Sequence, residues 1–361
     1  MNLAPTSPPI EAATTEAKPY PAPVPQSRAD AALFAAVEAW TRLRHRKARR
    51  WLRKTEGKPR RQSVALPDCA NDKFTWRKLF DHDPRFVLLS DKVTQRDWSG
   101  ADGCGVPWVP MLWAGADMAE FPEELLHRDI VLKGAHCSGR TIFAEAGTLT
   151  REALHERTRR ALRRTHGKKA KEWAYRHLPH RIIAEPILAS SEALADIKFY
   201  TYGGEVERVV HLSDRRGSLP RSEWLWRDGR LERKSGPPQP GFSEHLSDLP
   251  PITTRAMEVA RHLGVAFEQV RVDFMTDGQA LWLGEMTFYT NAGFYHGDTG
   301  TDPKALTNQL WDLRRSWFMQ TPQRGWREAY RQALWRSLDA SRGGAVTVDR
   351  QDRVGLATHP A

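Results

Sequence analysis

The amino-acid sequence predicts a fold that mixes helices and strands, of the α+β or α/β class. Short apolar runs alternate with segments of helical periodicity between residues 85 and 293. Two pairs of runs flank short glycine-containing turns, which favours antiparallel hairpins over one long βαβ series. The chain has 361 residues and is 40% hydrophobic, so it is long enough for a sizeable core and for two lobes.

Composition excludes several classes of protein. The apolar fraction is too high for a wholly disordered chain, and the sequence lacks the repeats of collagen and of solenoids. No apolar run approaches the ~18 residues of a membrane span, and residues 1–30 lack the apolar core of a secretion signal. The three cysteines, Cys69, Cys104 and Cys137, are odd in number and too far apart for a zinc site. We therefore expect a cytoplasmic protein.

The N-terminal region divides into a tail and a basic helix. Residues 1–30 contain seven prolines and one aromatic residue, so we expect a disordered tail. From Ala31 onward the spacing predicts a helix with an apolar face that consists of Leu33, Val37, Trp40 and Leu43. Residues 42–61 then contain eleven Lys and Arg residues and a single acid, Glu56. Their excess of ten positive charges is nearly the whole net charge of +11, and it is compatible with nucleic acid, a membrane surface or an anionic substrate.

Three apolar runs that end in a charged or polar residue are predicted strands, at residues 85–89, 129–133 and 181–185. A second basic run, residues 157–171, contains eight Lys and Arg residues and no acid. Its spacing predicts an exposed helix that ends near Gly167. Such a face is more often solvated than functional, and contact with an anionic substrate or a membrane is the alternative.

The C-terminal half alternates between hairpins and helices. Two hairpins are predicted, in residues 197–212 and 270–286, with turns at Gly203-Gly204 and at residues 276–279. The segment between them, residues 251–263, has helical spacing and ends at Gly264. A helical, tryptophan-rich region follows residue 302, and we expect residues 341–361 to fray.

The first candidate for a functional site follows the strand at residues 129–133. Lys133 ends that strand, and a loop of small residues, 134–139, comes directly after it. Small residues let backbone amides approach phosphate oxygens, and a lysine beside them adds a positive charge. The order of lysine and glycines differs from that of a Walker A loop. The loop is therefore compatible with a nucleotide site and equally with an ordinary turn.

The second candidate is a pair of carboxylates on facing strands. Arg271 and Asp273 share one face of a strand because strand side chains alternate. Glu285 lies twelve residues beyond Asp273, across a tight turn, so the two carboxylates can converge. Paired carboxylates beside an arginine suit Mg²⁺ held against nucleotide phosphates. The alternative is a cross-strand salt bridge between Arg271 and either acid.

Other charged residues lie at predicted strand ends. Glu185 ends a strand, where the backbone could pair with an adenine edge and the carboxylate could reach ribose hydroxyls, although a plain strand end has the same pattern. Asp91 and Lys92 close the run at residues 85–89, and Asp196 and Lys198 open the first hairpin. Each of these two pairs could be only a local ion pair.

These elements belong to a longer ordered set of motifs. In chain order the set comprises Pro67, Lys73, Phe74, Trp76, residues 81–84, residues 89–92, Arg96, residues 131–133 and 136–139, 181–185, 196–200, Gly203, 271–273 and 284–289. The set resembles the ATP-grasp superfamily, specifically its TupA-like branch, which is linked to teichuronopeptide and surface-polysaccharide synthesis. The resemblance covers residues 67–316. Each motif alone is loose, whereas six motifs in this order with compatible spacing are specific.

The resemblance implies an α+β ATP-grasp fold, in which two lobes hold the nucleotide between them and a basic helix precedes them. It also implies ATP and Mg²⁺ as cofactors. The nucleotide would be bound by Lys92, Lys133, His136, Ser138, Gly139, Glu185, Pro186 and Ile187, with residues 134–139 as a flexible lid. The metal ligands would be Asp273, Glu285 and Thr287, and the catalytic residues would be Arg271 and Lys198. ATP-grasp ligases often have asparagine at the position of Thr287, and the resemblance leaves open whether Asn291 completes the metal site.

The implied chemistry is activation of a carboxylate followed by amide formation. A carboxylate oxygen attacks the γ-phosphorus of ATP to give an acyl phosphate, which an amine then displaces. This reaction needs positioning, charge neutralisation and exclusion of water rather than a nucleophilic side chain. The substrates would be a carboxylate and an amine, with a uronic acid of a surface glycan as the candidate carboxylate.

Two other functions compete with this one. Residues 127–129 are similar to a kinase catalytic motif, but Gly134 stands where a kinase needs asparagine. A non-catalytic protein that binds an anionic glycan or nucleic acid on a degenerate ATP-grasp fold is the stronger alternative. No specific nucleic acid is expected, because the chain lacks a nucleic-acid recognition motif.

The resemblance also suggests how the chain is divided and where it acts. The predicted regions are a tail at 1–30, a basic helix and linker at 31–66, the first part of the ATP-grasp region at 67–128, a lobe with the lid at 129–188, a lobe with the Mg²⁺ site at 189–340, and a tail at 341–361. We expect residues 42–61 to contact an anionic membrane surface or polymer. Such contact would place a cytoplasmic enzyme at the inner face of the membrane.

Overall fold

The computed structural model describes residues 20–343, except for residues 48, 51–61, 140, 189–193, 214–219, 228, 235–242 and 245–247. The predicted tails at 1–30 and 341–361 therefore lie mostly outside the described residues. The same holds for the part of the basic run 42–61 that follows Arg50.

Helices occur throughout the described part of the chain. The main ones are Arg28–Arg44, Ala70–Leu79, Pro84–Ser90, Arg151–Arg163, Thr253–Gly264, Asp298–Thr301, Leu306–Leu310, Trp317–Gln320 and Trp326–Arg342. The strands are β1 Trp113–Gly115, β2 Ile130–Gly134, β3 Thr141–Ala144, β4 Ile182–Pro186, β5 Ala195–Tyr202, β6 Glu205–Leu212, β7 Pro220–Arg227, β8 Arg230–Arg233, β9 Ser243–Glu244, β10 Val270–Thr276 and β11 Leu281–Thr287.

The strands form two separate sheets. The first has four strands in the order β1-β4-β2-β3, and every neighbouring pair is antiparallel. The second has seven strands, with the order β11-β10-β5-β6-β7-β8 and β9 paired in parallel with β7. Helices cover antiparallel sheets in this arrangement, so the class is α+β and the α/β alternative is excluded.

Each sheet has its own hydrophobic cluster. Beneath the four-stranded sheet, Ile130, Leu132 and Ala184 pack with Leu154 of the helix Arg151–Arg163. Beneath the seven-stranded sheet, the helices Thr253–Gly264 and Pro84–Ser90 pack on the β5, β10 and β11 strands. A third cluster joins the N-terminal helix Arg28–Arg44 to the C-terminal helices through Phe34, Val37, Trp76, Trp311 and Tyr330.

Buried charge ties the helix Ala70–Leu79 to the hairpin of β10 and β11. The Arg77 guanidinium is fully buried and forms an ion pair of 2.7 Å with Glu268. It also donates to the backbone oxygen of Phe288 at 2.6 Å, directly after β11. These contacts satisfy the buried cation and hold the end of the hairpin in place.

Both predicted hairpins are present. β5 and β6 pair around Gly203 and Gly204, and both glycines have positive φ angles, of 59° and 93°. A two-residue turn with two positive φ values matches the twist of antiparallel strands, which is why glycine is favoured there. β10 and β11 pair across residues 277–280, and the helix Thr253–Gly264 lies between the two hairpins along the chain.

The prediction of a strand at residues 85–89 is wrong. Those residues lie in the helix Pro84–Ser90, which begins with Asp83 as N-cap and proline in its first turn. The Asp83 carboxylate accepts a hydrogen bond of 2.9 Å from the Arg85 backbone N–H. An Asp-Pro pair is a helix-start pattern, and a short apolar run alone cannot distinguish a strand from a buried helix.

The two basic regions also differ from the predictions. In the N-terminal helix Leu43 is 83% exposed rather than on the buried face, whereas Phe34 and Thr41 are buried. The second basic helix begins at Arg151 and ends at Arg163, so it starts and ends earlier than residues 157–167. Among the described residues, none of the helices has the length and apolar character that a membrane span requires.

Candidate active site

The hairpin of β10 and β11 brings two of the three predicted metal ligands face to face. Asp273 and Glu285 are directly opposite each other in the antiparallel register, and Arg271 is opposite Thr287. All four therefore project from one face of the hairpin. The register shifts directly after Asp273, and such bulges are frequent next to active sites because they re-aim a side chain. The predicted convergence of the two carboxylates is confirmed.

The Arg271 guanidinium organises this face of the hairpin. It forms two hydrogen bonds of 2.6 Å with the Asp273 carboxylate, through Nε and Nη2. Nη2 also lies 3.4 Å from Glu285 Oε1 and donates to Thr287 Oγ1 at 3.2 Å. Although burial alone would lower the pKa of Arg271, the charge of Asp273 raises it above its usual value, so the guanidinium stays charged.

Lys198 reaches the same carboxylate from the neighbouring strand. On β5 it lies directly opposite Asp273 of β10. Its Nζ donates to Asp273 Oδ2 at 2.7 Å and lies 3.1 Å from Asp196 Oδ2. Burial opposes the charged form, but the two aspartates raise the pKa of Lys198. Asp196 and Lys198 are thus part of the site rather than only a local pair.

Lys92 reaches the second carboxylate from the end of the helix Pro84–Ser90. Its Nζ lies 3.2 Å from Glu285 Oε2 and donates to the backbone oxygen of Cys137 at 3.0 Å. Burial would raise the pKa of Glu285, but the cations Lys92, Arg271 and Lys198 lower it far below its ordinary value. Glu285 is therefore ionised, as a metal ligand must be.

The four-stranded sheet contributes a second ion cluster. Lys133 on β2 donates to the Glu185 carboxylate on the adjacent strand β4. Arg96 Nη2 lies 3.5 Å from the other oxygen of Glu185 and donates to the backbone oxygen of Val109 at 2.8 Å. Burial lowers the pKa of Arg96, and Glu185 counteracts part of that effect. Glu185 is consequently held between two cations.

The two clusters meet around one cavity of about 130 Å³ between the sheets. Its walls include eight of the predicted site residues, namely Lys92, Lys133, Ser138, Gly139, Glu185, Lys198, Asp273 and Glu285. A larger cleft of about 760 Å³ lies beside it and shares Ser138 and Glu285 with it. Arg271, Thr287 and Asn291 line this cleft rather than the cavity. The shared residues Ser138 and Glu285 therefore lie where the two spaces meet.

Three predicted nucleotide-binding residues are not brought into the cavity. Pro186 and Ile187 follow Glu185 in the chain, but neither lines the cavity or the cleft. His136 is fully buried, and its Nε2 lies 3.2 Å from the backbone oxygens of Ala161 and Arg164 at the end of the basic helix. Its ring also stacks on His180 at 4.2 Å. The structure therefore gives His136 a packing position that ties residues 134–139 to the end of that helix.

Glu172 is a site residue that the sequence reasoning missed. It lines the large cleft together with Tyr175, and it is 3% exposed. Burial raises the pKa of Glu172 to about 7, against the opposing charge of Lys78. Glu172 is the first acid after the long basic run, and that position was the only sign of it in the sequence.

The donor set fits Mg²⁺. Asp273 and Glu285 supply facing carboxylates, and Thr287 supplies a hydroxyl on the same face of the hairpin. Hard divalent cations prefer oxygen ligands of this kind. Both carboxylates are paired with a lysine or arginine, and a bound Mg²⁺ would supply the compensating charge in place of these cations.

The two sheets hold lysine, arginine and carboxylate side chains in one cluster, as the resemblance to the ATP-grasp superfamily implies. Residues 72–306 match the model of the family described as TupA-like ATPgrasp, and the chain belongs to that family. The resemblance inferred from the ordered motifs is thereby confirmed. No curated protein matches the sequence.

Several solved structures are similar to this chain at low identity. One is the ATP-grasp ligase PsnB complexed with minimal precursor, with 14% identity, a TM-score of 0.34, and coverage of 63% of this chain and 60% of that one. Another is the D-alanine–D-alanine ligase from Bacillus anthracis complexed with ATP, with 14% identity, a TM-score of 0.33, and coverage of 61% and 67%. A third is the D-cycloserine synthetase DcsG, with 17% identity, a TM-score of 0.31, and coverage of 71% of both chains. The chain thus spans about 60% of the PsnB structure.

Proposed function

We propose that the protein is a Mg²⁺-dependent ATP-grasp ligase that joins a carboxylate to an amine. The observation that carries this proposal is the convergence of Lys92, Lys133 and Lys198 with the facing pair Asp273 and Glu285 around one cavity. Membership of the TupA-like ATP-grasp family supports it. Three lysines and four carboxylates, Glu185, Asp196, Asp273 and Glu285, line this one cavity, and such a set suits a metal-bound triphosphate better than a neutral ligand.

Each side chain has a defined role in the proposed reaction. Lys92 and Lys133 hold the phosphates of ATP, while Asp273, Glu285 and Thr287 hold Mg²⁺. When bound, Mg²⁺ neutralises charge on the phosphates. Arg271 and Lys198 stabilise the charge that develops as the γ-phosphoryl group moves from ATP to a carboxylate oxygen and ADP leaves. The amine nitrogen then bonds to the acyl carbon, the C–O bond to phosphate breaks, and the products are an amide, ADP and phosphate.

The large cleft accommodates the two substrates. An amine must lose a proton before or during attack, because an ammonium group has no free electron pair. The Glu172 carboxylate lines this cleft and has a pKa raised to about 7 by burial, which is well matched to accept that proton near neutral pH. We place the reaction in the cytoplasm, where ATP is available, and we propose a uronic acid of a surface polysaccharide as the carboxylate.

Replacement of Lys133 by alanine tests the proposal. We expect Lys133→Ala to weaken MgATP binding and to lower ADP release by at least ~100-fold, because the phosphates lose a charged donor in a poorly solvated site. Calorimetry measures binding, and ADP release is followed with a panel of carboxylates and hydroxylamine as a neutral amine. Lys304→Ala is the matched control, since Lys304 is exposed and lies outside the cavity and the cleft.

Two results would contradict the ligase proposal. If the wild-type protein does not bind ATP in the presence of Mg²⁺, the nucleotide site is wrong. If it binds ATP but releases no ADP with any carboxylate and amine, the alternative of a non-catalytic glycan- or nucleic-acid-binding protein on a degenerate ATP-grasp fold is favoured.

A further inference from the structure

One surface of the molecule combines several cations with exposed apolar side chains. A cavity of about 440 Å³ lies there, enclosed by residues 43–47 at the end of the N-terminal helix, by residues 78–82 and by residues 171–176. No carboxylate side chain is part of its lining. Its cationic side chains are Arg44, Arg46, Lys47, Lys78, Lys171 and Arg176.

The start of the C-terminal helix belongs to the same surface. The Trp40 ring contacts the rings of His45 and Trp326, with centroid distances of 4.8 and 5.2 Å. Burial lowers the pKa of His45, and neighbouring positive charges that include Arg327 and Arg176 lower it further. These residues therefore lie together, and we refer to the set as the basic face. It consists of Leu43, Arg44, Arg46, Lys47, Lys171, Arg176, Trp326 and Arg327.

The six cations of the basic face differ from their neighbours in the basic run. Glu38 pairs with Arg42 at 3.6 Å and with the buried Arg49 at 2.7 Å, so these two arginines are neutralised. By contrast, no carboxylate in the part of the chain that the structure describes forms an ion pair with any of the six. Their positive charge is thus left uncompensated within the described residues.

Two apolar side chains accompany these cations at the surface. Leu43 is 83% exposed, the largest exposed fraction of any large hydrophobic side chain among the described residues. Trp326 is 44% exposed, and the guanidinium carbon of Arg327 lies 5.8 Å from the centre of its ring. A single exposed apolar residue is ordinary. A leucine and a tryptophan beside six uncompensated cations, however, are typical of surfaces that enter the interfacial layer of a membrane.

We infer that the basic face binds an anionic phospholipid membrane. The cations contact the lipid headgroups, while Leu43 and Trp326 enter the layer between headgroups and acyl chains. The inference goes beyond the proposed function and does not depend on it.

The apolar side chains distinguish a membrane from a soluble polyanion. A nucleic acid or an acidic polysaccharide could neutralise the cations, but a membrane also removes Leu43 from water, which is favourable. Trp173 in the adjoining cavity stacks on His82 with ring centroids 4.6 Å apart, so one face of its ring is already covered. Binding of single-stranded nucleic acid relies on successive free aromatic faces, which this surface does not provide.

The basic face is separate from the candidate active site. Its cavity shares no lining residue with the large cleft or with the cavity that contains the predicted metal ligands. Along one segment the side chains alternate, since Ala170 and Glu172 line the cleft whereas Lys171 and Trp173 line the cavity of the basic face. Membrane contact therefore uses none of the residues that line the candidate active site.

Sedimentation with lipid vesicles tests the inference on the full-length protein. Vesicles that mix phosphatidylglycerol with phosphatidylcholine are compared with vesicles of phosphatidylcholine alone. We expect at least ~10-fold tighter binding to the anionic vesicles, and weaker binding as the salt concentration rises. The double variant Arg46→Glu, Arg176→Glu should lose this preference. The matched control Arg128→Glu, Lys304→Glu makes the same change in net charge at exposed residues outside the basic face and should keep it.

A second variant separates a membrane from a soluble polyanion. Leu43→Ser keeps every charge but removes the side chain that a membrane would bury. It should weaken binding to anionic vesicles by at least ~3-fold and leave binding to heparin unchanged. Val24→Ser is the control, since Val24 is 59% exposed and lies outside the basic face, and it should bind vesicles like the wild-type protein.

Several outcomes would overturn the inference. One is equal binding, or no binding, of the wild-type protein to anionic and neutral vesicles. An equal loss in the Arg128 and Lys304 control would show general charge attraction only. Unchanged vesicle binding by Leu43→Ser, or displacement from the vesicles by an oligonucleotide, would show that the partner is a soluble polyanion.

MgATP affinity is measured on every variant and should stay unchanged, because the basic face lies outside the candidate active site. Loss of vesicle preference with intact MgATP binding would leave the ligase proposal standing. A wild-type protein that binds anionic vesicles but not MgATP would contradict the ligase proposal alone.

Discussion

Each carboxylate that lines the cavity has a cationic partner at ion-pair distance. Asp273 contacts Arg271 and Lys198, Glu285 contacts Lys92 and Arg271, and the Lys133 ammonium contacts Glu185. These groups are largely withdrawn from solvent, so each charge depends on its partner for stabilisation. Removing one carboxylate should therefore lower stability, and under the proposed function it should also weaken metal binding.

We expect Asp273→Asn to impair both properties at once. The amide keeps the shape of the side chain but removes the charge that compensates Arg271 and Lys198, so the free energy of unfolding should fall by about 3 kcal/mol. The Mg²⁺ concentration needed for half-maximal ATP turnover should rise by at least ~10-fold, because a carboxylate ligand is lost. Urea denaturation and Mg²⁺ titration of ADP release measure the two effects.

Asp277→Asn is the control for this variant. Asp277 is on the exposed turn of the same hairpin, where its side chain accepts hydrogen bonds from the backbone of Gln279 and Ala280. An asparagine at position 277 can accept the same bonds, so neither measurement should change. Unaltered Mg²⁺ dependence of Asp273→Asn would show that Asp273 is not a metal ligand.

His82 makes stability depend on pH. Burial lowers the pKa of His82 from 6.5 to about 4, so the folded protein keeps the ring neutral where the unfolded chain takes up a proton. Because the unfolded state binds more protons between pH 4 and 6.5, stability should fall as the pH drops through this range.

His82→Asn should make the dependence of unfolding free energy on pH shallower by up to about one proton in that window. Urea denaturation at several pH values gives the slope. The control is His127→Asn, because the His127 side chain is 69% exposed. An unchanged slope for His82→Asn would mean that the ring is already protonated in the folded state.

At the scale of elements, the helix Pro84–Ser90 places Lys92 in the site. Asp83 caps its first turn and forms an ion pair of 2.7 Å with Arg85. At the other end, Asp91 pairs with Arg181, and the Lys92 backbone N–H donates to Ala135 at 3.2 Å. The helix therefore connects the seven-stranded sheet, on which it packs, with the lid segment.

We expect Asp83→Ala to lower the free energy of unfolding by about 1–2 kcal/mol, because the helix loses its N-cap. Affinity for MgATP should fall as well, since Lys92 follows this helix. Asp117→Ala removes a comparable cap from an exposed short helix, Met118–Glu120, and should leave MgATP binding unchanged. Equal MgATP affinity of both variants would show that the cap does not position Lys92.

At the scale of the whole molecule, the N-terminal helix is part of the core. Phe34 and Val37 are buried in the cluster that includes Tyr330, and the Phe34 and Tyr330 rings are 6.2 Å apart. Asp30 forms an ion pair of 2.6 Å with Arg336 on the C-terminal helix. The N-terminal helix is thus packed against the C-terminal helix Trp326–Arg342.

Deletion of residues 1–61 should therefore destabilise the whole protein. The loss of two buried apolar side chains and their cavity predicts a fall of about 3–5 kcal/mol in unfolding free energy. Thermal and urea denaturation measure it, and a deletion of residues 344–361 is the control. An unchanged midpoint for the first deletion would contradict the packing of this helix.

Local sequence patterns were enough to predict much of the candidate site. Glycine pairs placed the turn between β5 and β6, and alternation across the turn of β10 and β11 placed Asp273 opposite Glu285. These features depend on residues close in the sequence, where backbone preference and strand geometry decide the outcome. The order of the motifs was sufficient to identify the family.

Features that depend on residues far apart in the sequence could be seen only in the tertiary structure. In the folded protein, residues 85–89 are helical and the His136 side chain is packed against the end of the basic helix. Glu172 lines the cleft. In the described part of the basic run, Glu38 pairs with Arg42 and Arg49, whereas Arg44, Arg46 and Lys47 line a separate cavity of about 440 Å³. The net charge of a segment can be counted from the sequence. Which of its charges are neutralised depends on which side chains lie next to one another in the folded protein. The sequence thus determined the family and the pairing of Asp273 with Glu285, whereas the packing of distant segments decided which of the described charges are neutralised.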